Sequence, residues 1–202
     1  MTRRQRKRDI EAEIIDLSHD GRGVAKLDGK TVFISGALTG ERVRAHVHTS
    51  KKHFEEGHVL EVLQASPLRV EPPCPHFEIC GGCSLQHMKA EAQIEAKQHI
   101  LLENFERIGH VRPGAVLPPL TDQPWGYRRK ARLGVKWVPA KERAIVGFRE
   151  ALKPMYIADI HSCRVLVPQV GERIHELSAL VTSMDARERI AQIEVAAGDD
   201  AT

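Results

Sequence analysis

The sequence predicts a mainly β protein with some α. It reads as a small all-β barrel followed by an α+β domain that carries a metal centre. Three features lead there. Short apolar runs broken by glycine recur from Ile10 to Val70, the spacing of a small barrel. Three cysteines then crowd into CPHFEICGGC, residues 74–83. Beyond a helical segment the chain returns to alternating strands, most clearly in YRRKARLGVKWV.

Composition sets the frame. Across 202 residues, 42% hydrophobic content is ordinary for a globular protein, and no run reaches the roughly 20 apolar residues of a membrane helix. MTRRQRKRDIEAEI has a charged start with no apolar stretch behind it, so it is not a secretory signal. Four cysteines in such a chain argue against a disulfide scaffold and for a cytoplasmic metal site or buried thiols.

Residues 1–9 read as a basic, disordered tail. Arg3, Arg4, Arg6, Lys7 and Arg8 supply five of its charges, either solvated or reaching for phosphate. Residues 10–70 read as the barrel. In ERVRAHVHT, Val43, Ala45 and Val47 share one face, while Arg42, Arg44, His46 and His48 share the other. That second face is equally a solvated surface or the RNA-facing side of an OB-like barrel, with Arg42 and Arg44 as candidate contacts.

Residues 71–88 read as a metal-binding loop, stiffened at its start by Pro72, Pro73 and Pro75. Residues 89–110 read as a helix. Ile94, Leu101, Phe105 and Ile108 recur at helical spacing for packing on a neighbouring domain, and Gly109 stops the run. Residues 111–202 read as a central, β-rich domain. In its YRRKARLGVKWV strand, Arg128, Lys130, Arg132 and Lys136 lie on one face. Cations so crowded repel one another, which favours a polyanion partner over a bare solvated face. AIVGFRE and MYIADI read as further strands, and VPQVGERIHELSALV as a closing helix. Ala191–Ala196 reads as a strand with no following partner, as in a piece of a longer protein.

The fourth cysteine, Cys163, stands eighty positions beyond Cys83. Structural zinc draws its ligands from two close pairs, and only Cys80–Cys83 is such a pair. Three ligands from one loop and a fourth from a distant segment suit an iron–sulfur cluster better. Zinc and unliganded buried thiols remain as alternatives. Gly81 and Gly82 are expected to let the backbone curl around the cluster. His76, His87 and His161 lie near in sequence and are read as outside the ligand set.

CPHFEICGGCSLQH, PWGYRRKARLG, VGFREAL and the lone Cys163 ahead of VLVPQ together resemble the bacterial 23S rRNA uracil-C5 methyltransferases, the RNA m5U methyltransferase family. The resemblance covers essentially the whole chain. It implies that the first 70 residues are a TRAM domain, an RNA-binding barrel. It implies a [4Fe-4S] cluster on Cys74, Cys80, Cys83 and Cys163. It implies that Arg128, Lys130 and Arg132 face RNA, with Arg132 nearest the target nucleotide. The substrate so implied is 23S ribosomal RNA, the methyl donor S-adenosylmethionine, the compartment cytoplasmic and the protein a monomer with no membrane partner.

Family relatives acting on transfer RNA are expected to lack the barrel and the cluster, which points to ribosomal RNA. In the family a Rossmann-like domain binds S-adenosylmethionine and supplies a catalytic cysteine that attacks uracil C6. These 202 residues contain no such glycine-rich unit, and the resemblance spends all four cysteines on the cluster. The chain alone is therefore expected to lack catalysis, with the 89–110 helix meant for the missing domain. A radical methylthiotransferase would instead carry a C-x3-C-x2-C loop and a C-terminal barrel. The other reading is a stand-alone RNA-binding protein with a structural iron–sulfur cluster.

Overall fold

A computed structural model describes residues 7–199. They form two compact units, residues 7–72 with 84–121 and residues 73–83 with 122–199. The architecture is mainly β.

The first unit is built on a six-stranded sheet. Its strands are β1 (Arg8–Glu13), β2 (Asp16–Leu17), β3 (Gly23–Leu27), β4 (Lys30–Ser35), β5 (Arg42–Ser50) and β6 (Phe54–Gln64). Their order is β1-β5-β6-β4-β3-β2, antiparallel except for the β4–β6 pair. Asp28 and Gly29 join β3 to β4 with φ of 49° and 78°. Two central residues with positive φ match the twist of a hairpin, which is why Asp-Gly closes this one. Beyond β1, the Ile14 N–H donates to Glu41 O and the Ile15 N–H to Val24 O, so the sheet curls until its edges meet at that end. Ile10, Ala12, Ala25, Val32, Ile34, Val43, Ala45 and Val47 fill its inner face. The alternation read from ERVRAHVHT is realised along β5.

The strand starts two residues earlier than expected. Arg8, assigned to the tail, opens β1 because its guanidinium reaches the buried Glu55 carboxylate at 2.9 Å and Asp9 pairs with His46. Arg3, Arg4 and Arg6 lie outside the described residues.

The helix is α1 (Ala90–Arg107). Its first half packs on this same unit, where Met88 and Ala92 join Leu17 and Leu38, flanked by Leu85 and Ala96. Leu101, Phe105 and Ile108, the large residues of the sequence pattern, stay exposed. The 71–88 loop is divided accordingly: 84–88 belong with the sheet, 73–83 with the second unit. Residues 111–121 also fall with the first unit, as exposed chain without regular structure.

The second unit centres on β7 (Lys130–Val138), flanked antiparallel by β8 (Arg143–Gly147) and β9 (Gln192–Ala196). The 191–196 strand thus has a partner: Lys130 faces Ala196 and Arg132 faces Glu194. MYIADI forms no regular strand. One bridge, Ile157 to Arg149, holds it while Ala158 and Ile160 enter the core. A short helix, α2 (Pro168–Gly171), precedes α3 (Ile174–Ser183), whose Ser178 hydroxyl donates to Ala144 O on β8. Leu133, Val146, Ile160, Leu166, Ile174 and Val181 lie in this core.

Candidate metal centre and basic strands

Three of the four cysteines enter through residues 73–83. Pro75 follows Cys74, and the chain turns there, Phe77 N–H donating to Cys74 O at 3.1 Å and Cys80 N–H to His76 O at 2.8 Å. The residue in left-handed conformation is Glu78, with φ of 73°, and neither Gly81 nor Gly82 has positive φ. The two glycines therefore serve a purpose other than the expected curl. Gly81 N–H donates to Arg149 O at 2.8 Å, and a Cβ on Gly81 would stand 2.9 Å from that oxygen. A Cβ on Gly82 would stand 3.3 Å from the Phe148 ring and 3.4 Å from Cys80 Sγ. Close approach demands them, since the loop lies flat on the backbone after β8 and Cys80 bridges Glu150.

Cys163 arrives from the far side of the sequence. Its N–H donates to Gly171 O at 2.8 Å, and a Cβ on Gly171 would fall 2.2 Å from Cys163 O. Cys80 and Cys163, both partly buried, pack on the core of the second unit. Burial pushes the Cys80 thiol up; the Gly82 N–H opposes this, and the charges of Cys83, Cys163 and Cys74 add to it. All four cysteines thus converge in one unit, within electrostatic reach of Cys80. Four thiolates so placed repel one another, so a bound cation is what would let them ionise together.

The nearby histidines separate. His76 and His161 face each other at 5.8 Å between ring centres, with the His161 N–H on His76 Nε2 at 3.1 Å. His87 instead lies buried in the first unit, where burial and then Arg69 press its pKa down to about 4.

The expected RNA contacts are exposed or half-buried, and several meet carboxylates. Arg44 reaches Glu61 at 2.7 Å and faces Glu11 on β1, while Arg42 faces Glu13. Arg132 reaches Glu194 at 2.9 Å, and the neighbouring Arg129 reaches Asp199 at 2.6 Å. Lys130 is exposed, and half-buried Arg128 lies 5.8 Å over the Phe148 ring. The crowded cations on β7 are thus partly balanced from β9, which weakens the argument that only an external polyanion can relieve them.

Reading the sequence missed Glu41, placed at the start of a strand. It is buried, and Arg69 Nε and Nη2 donate to it at 2.6 and 2.8 Å. The one acidic residue opening an otherwise basic alternating run was the available signal.

Residues 3–60 match the family model described as TRAM domain. Among curated relatives, the 23S rRNA (uracil(1939)-C(5))-methyltransferase RlmD of Xanthomonas oryzae pv. oryzae is 55% identical over 195 residues, or 95% of this chain and 44% of that protein. The protein of the same description from Stenotrophomonas maltophilia is 50% identical over the same share of each. The chain spans less than half the length of these relatives. Among solved structures, Pyrococcus abyssi tRNA (uracil-54, C5)-methyltransferase in complex with S-adenosyl-L-homocysteine matches 85% of this chain and 36% of its own, with TM-score 0.56 and 25% identity. That span corrects one expectation. Residues 71–202 are only 132 of the 202, so an 85% match takes in part of the N-terminal sheet. A relative named for transfer RNA therefore shares at least part of that sheet, and a sheet there does not by itself single out ribosomal RNA.

Proposed function

We propose, from its homology to the 23S rRNA (uracil-C5)-methyltransferases, that this chain is the RNA-recognition and iron–sulfur portion of such an enzyme. The convergence of Cys74, Cys80, Cys83 and Cys163 within one unit carries the reading. Three ligands from one loop and a fourth from a distant segment favour a cluster over a single zinc ion. Tetrahedral zinc at about 2.3 Å from each sulfur needs them roughly 3.8 Å apart, whereas a [4Fe-4S] cluster gives each thiolate its own iron corner. When bound, the cluster would staple the 73–83 loop to the segment after Ile160. It needs no redox role to do so.

RNA would be held by basic strands. The curled sheet is read as the OB-like RNA-binding barrel of a TRAM domain, with Arg42 and Arg44 on its outer face. On the second unit Arg128, Lys130 and Arg132 would meet the phosphate backbone. At Arg44 and Arg132, binding would exchange Glu61 and Glu194 for phosphate oxygens, so these two contacts are carboxylate-paired until RNA arrives. S-adenosylmethionine would supply the methyl group from outside these residues, and none of them is proposed to hold it or attack uracil. The exposed Leu101, Phe105 and Ile108 of α1 are the face proposed for a methyltransferase domain. The protein would act in the cytoplasm as a monomer.

The test is binding of the chain to 23S rRNA fragments and to transfer RNA across a salt series. The reading expects tighter binding to a 23S fragment, with log affinity falling linearly against log salt. Equal or absent binding to both would refute RNA recognition by this portion.

A further inference from the structure

On the outer face of the first unit, one rung of the sheet crosses four strands. Asp9 of β1 pairs with His46 of β5, His46 with His58 of β6, and His58 with Ser35 of β4. His48, two residues along β5, shares the face of His46. The His46 and His58 rings lie 5.6 Å apart between centres, and the His48 and His58 rings 5.9 Å. We propose that His46, His48 and His58 form a site for a divalent transition-metal ion of borderline softness, such as Zn²⁺, with Asp9 as its outer support.

The chemistry of each ring fits. Asp9 Oδ1 stands 2.6 Å from His46 Nδ1, the carboxylate that fixes a ligating imidazole and leaves Nε2 for the metal. His48 Nδ1 lies 3.0 Å from the Thr49 hydroxyl, which likewise leaves Nε2. His58 Nδ1 is buried with no hydrogen-bond partner, and a bound ion would satisfy it.

Distance fits too. Two imidazoles on one tetrahedral zinc, with bonds of about 2.0–2.1 Å, have ring centres roughly 5–5.5 Å apart. The two separations to His58 come within half an ångström of that; register places His46 opposite His58, while His48 stands at the β-bulge between Val47 and Thr49. Charge does not oppose an ion there, because Arg44 on the same face is held by Glu61 and lies opposite Glu11. A rival set has its ligand atoms within 4.8 Å, namely Asp16, His99 and Glu103. There Glu103 is already engaged by Arg107 at 2.8 Å, and Asp16 accepts the Leu17 N–H.

The test adds Zn²⁺ to ¹⁵N-labelled chain and follows imidazole nitrogens by long-range ¹H–¹⁵N spectra, which report histidines apart from the cysteines. The ring signals of His46, His48 and His58 should move together and saturate at one ion. His48→Gln and Asp9→Asn should each weaken binding about tenfold or more without changing backbone spectra. Shifts confined to His99, or zinc taken up with all three rings unmoved, would overturn the proposal. So would full affinity in both variants.

Discussion

Replacing Glu41 with glutamine should destabilise the first unit severely. The Glu41 side chain is 0% exposed, and its oxygens divide four donors. Oε1 accepts from Arg69 Nε at 2.6 Å and Ser66 N–H at 3.2 Å, and Oε2 from Arg69 Nη2 at 2.8 Å and Leu38 N–H at 2.9 Å. Whichever way the amide of a glutamine turns, its NH₂ faces one guanidinium donor and one backbone N–H. A stranded buried N–H costs about 1–3 kcal/mol, and a lost hydrogen bond to a charged group about 1.5–3 kcal/mol. The total, about 3–5 kcal/mol, agrees with the usual cost of removing one partner from a buried ion pair. Urea unfolding followed by circular dichroism, with hydrogen exchange across β4–β6, is the assay. With a slope near 2 kcal/mol per molar, the midpoint should fall by roughly 2 M. A loss below about 1 kcal/mol would mean that the pair is solvated or dispensable, and the reasoning would fail.

The same carboxylate sets a pH dependence. Burial raises the Glu41 pKa, but Arg69 with the Leu38 and Ser66 N–H groups outweighs it and holds the group below its ordinary 4.5. A lowered folded pKa stabilises above the unfolded value and ceases to as pH falls through the folded one. The wild-type midpoint should therefore drop below pH 4.5, and the Glu41→Gln protein should lose less over that range. Gly171→Ala should destabilise the second unit by more than about 2 kcal/mol, because its Cβ would meet Cys163 O; a melting point within 3 °C of wild type contradicts this. Arg132→Ala should reduce the salt slope of RNA binding by about 1, while Glu194→Gln should tighten binding. Unchanged affinity in both would return that strand to a solvated role. Cys163→Ser should lose bound iron and loosen residues 125–165 to hydrogen exchange, whereas full iron content would remove Cys163 from the ligand set.

Local signals carried the β architecture. β5 and β7 were legible because each buries one face, so period-two alternation is written into ERVRAHVHT and YRRKARLGVKWV. The packing of α1 was not legible. Its buried contacts are made by Ala92 and the flanking Met88, and small alanines give almost no periodic signal beside the louder but exposed Leu101, Phe105 and Ile108. The glycine-punctuated runs gave only a small barrel; the TRAM domain matched at 3–60 came from the resemblance carried by the cysteine loop and the strands after it. At the candidate centre, spacing could name four cysteines, yet the reason for Gly81 lies in Arg149, 68 positions away. Charge balance was hidden for the same reason, since Glu61 and Glu194 reach Arg44 and Arg132 only through strand pairing. So was the histidine rung, where His58 becomes a neighbour of His46 through register alone.

The most direct test of the account is anaerobic purification of the chain, followed by iron, sulfide and zinc assays and an absorption spectrum. It predicts a brown protein with about four irons and four sulfides per chain, absorbing broadly in the visible. A colourless protein with zinc on its cysteines, or with four unliganded thiols, would contradict it.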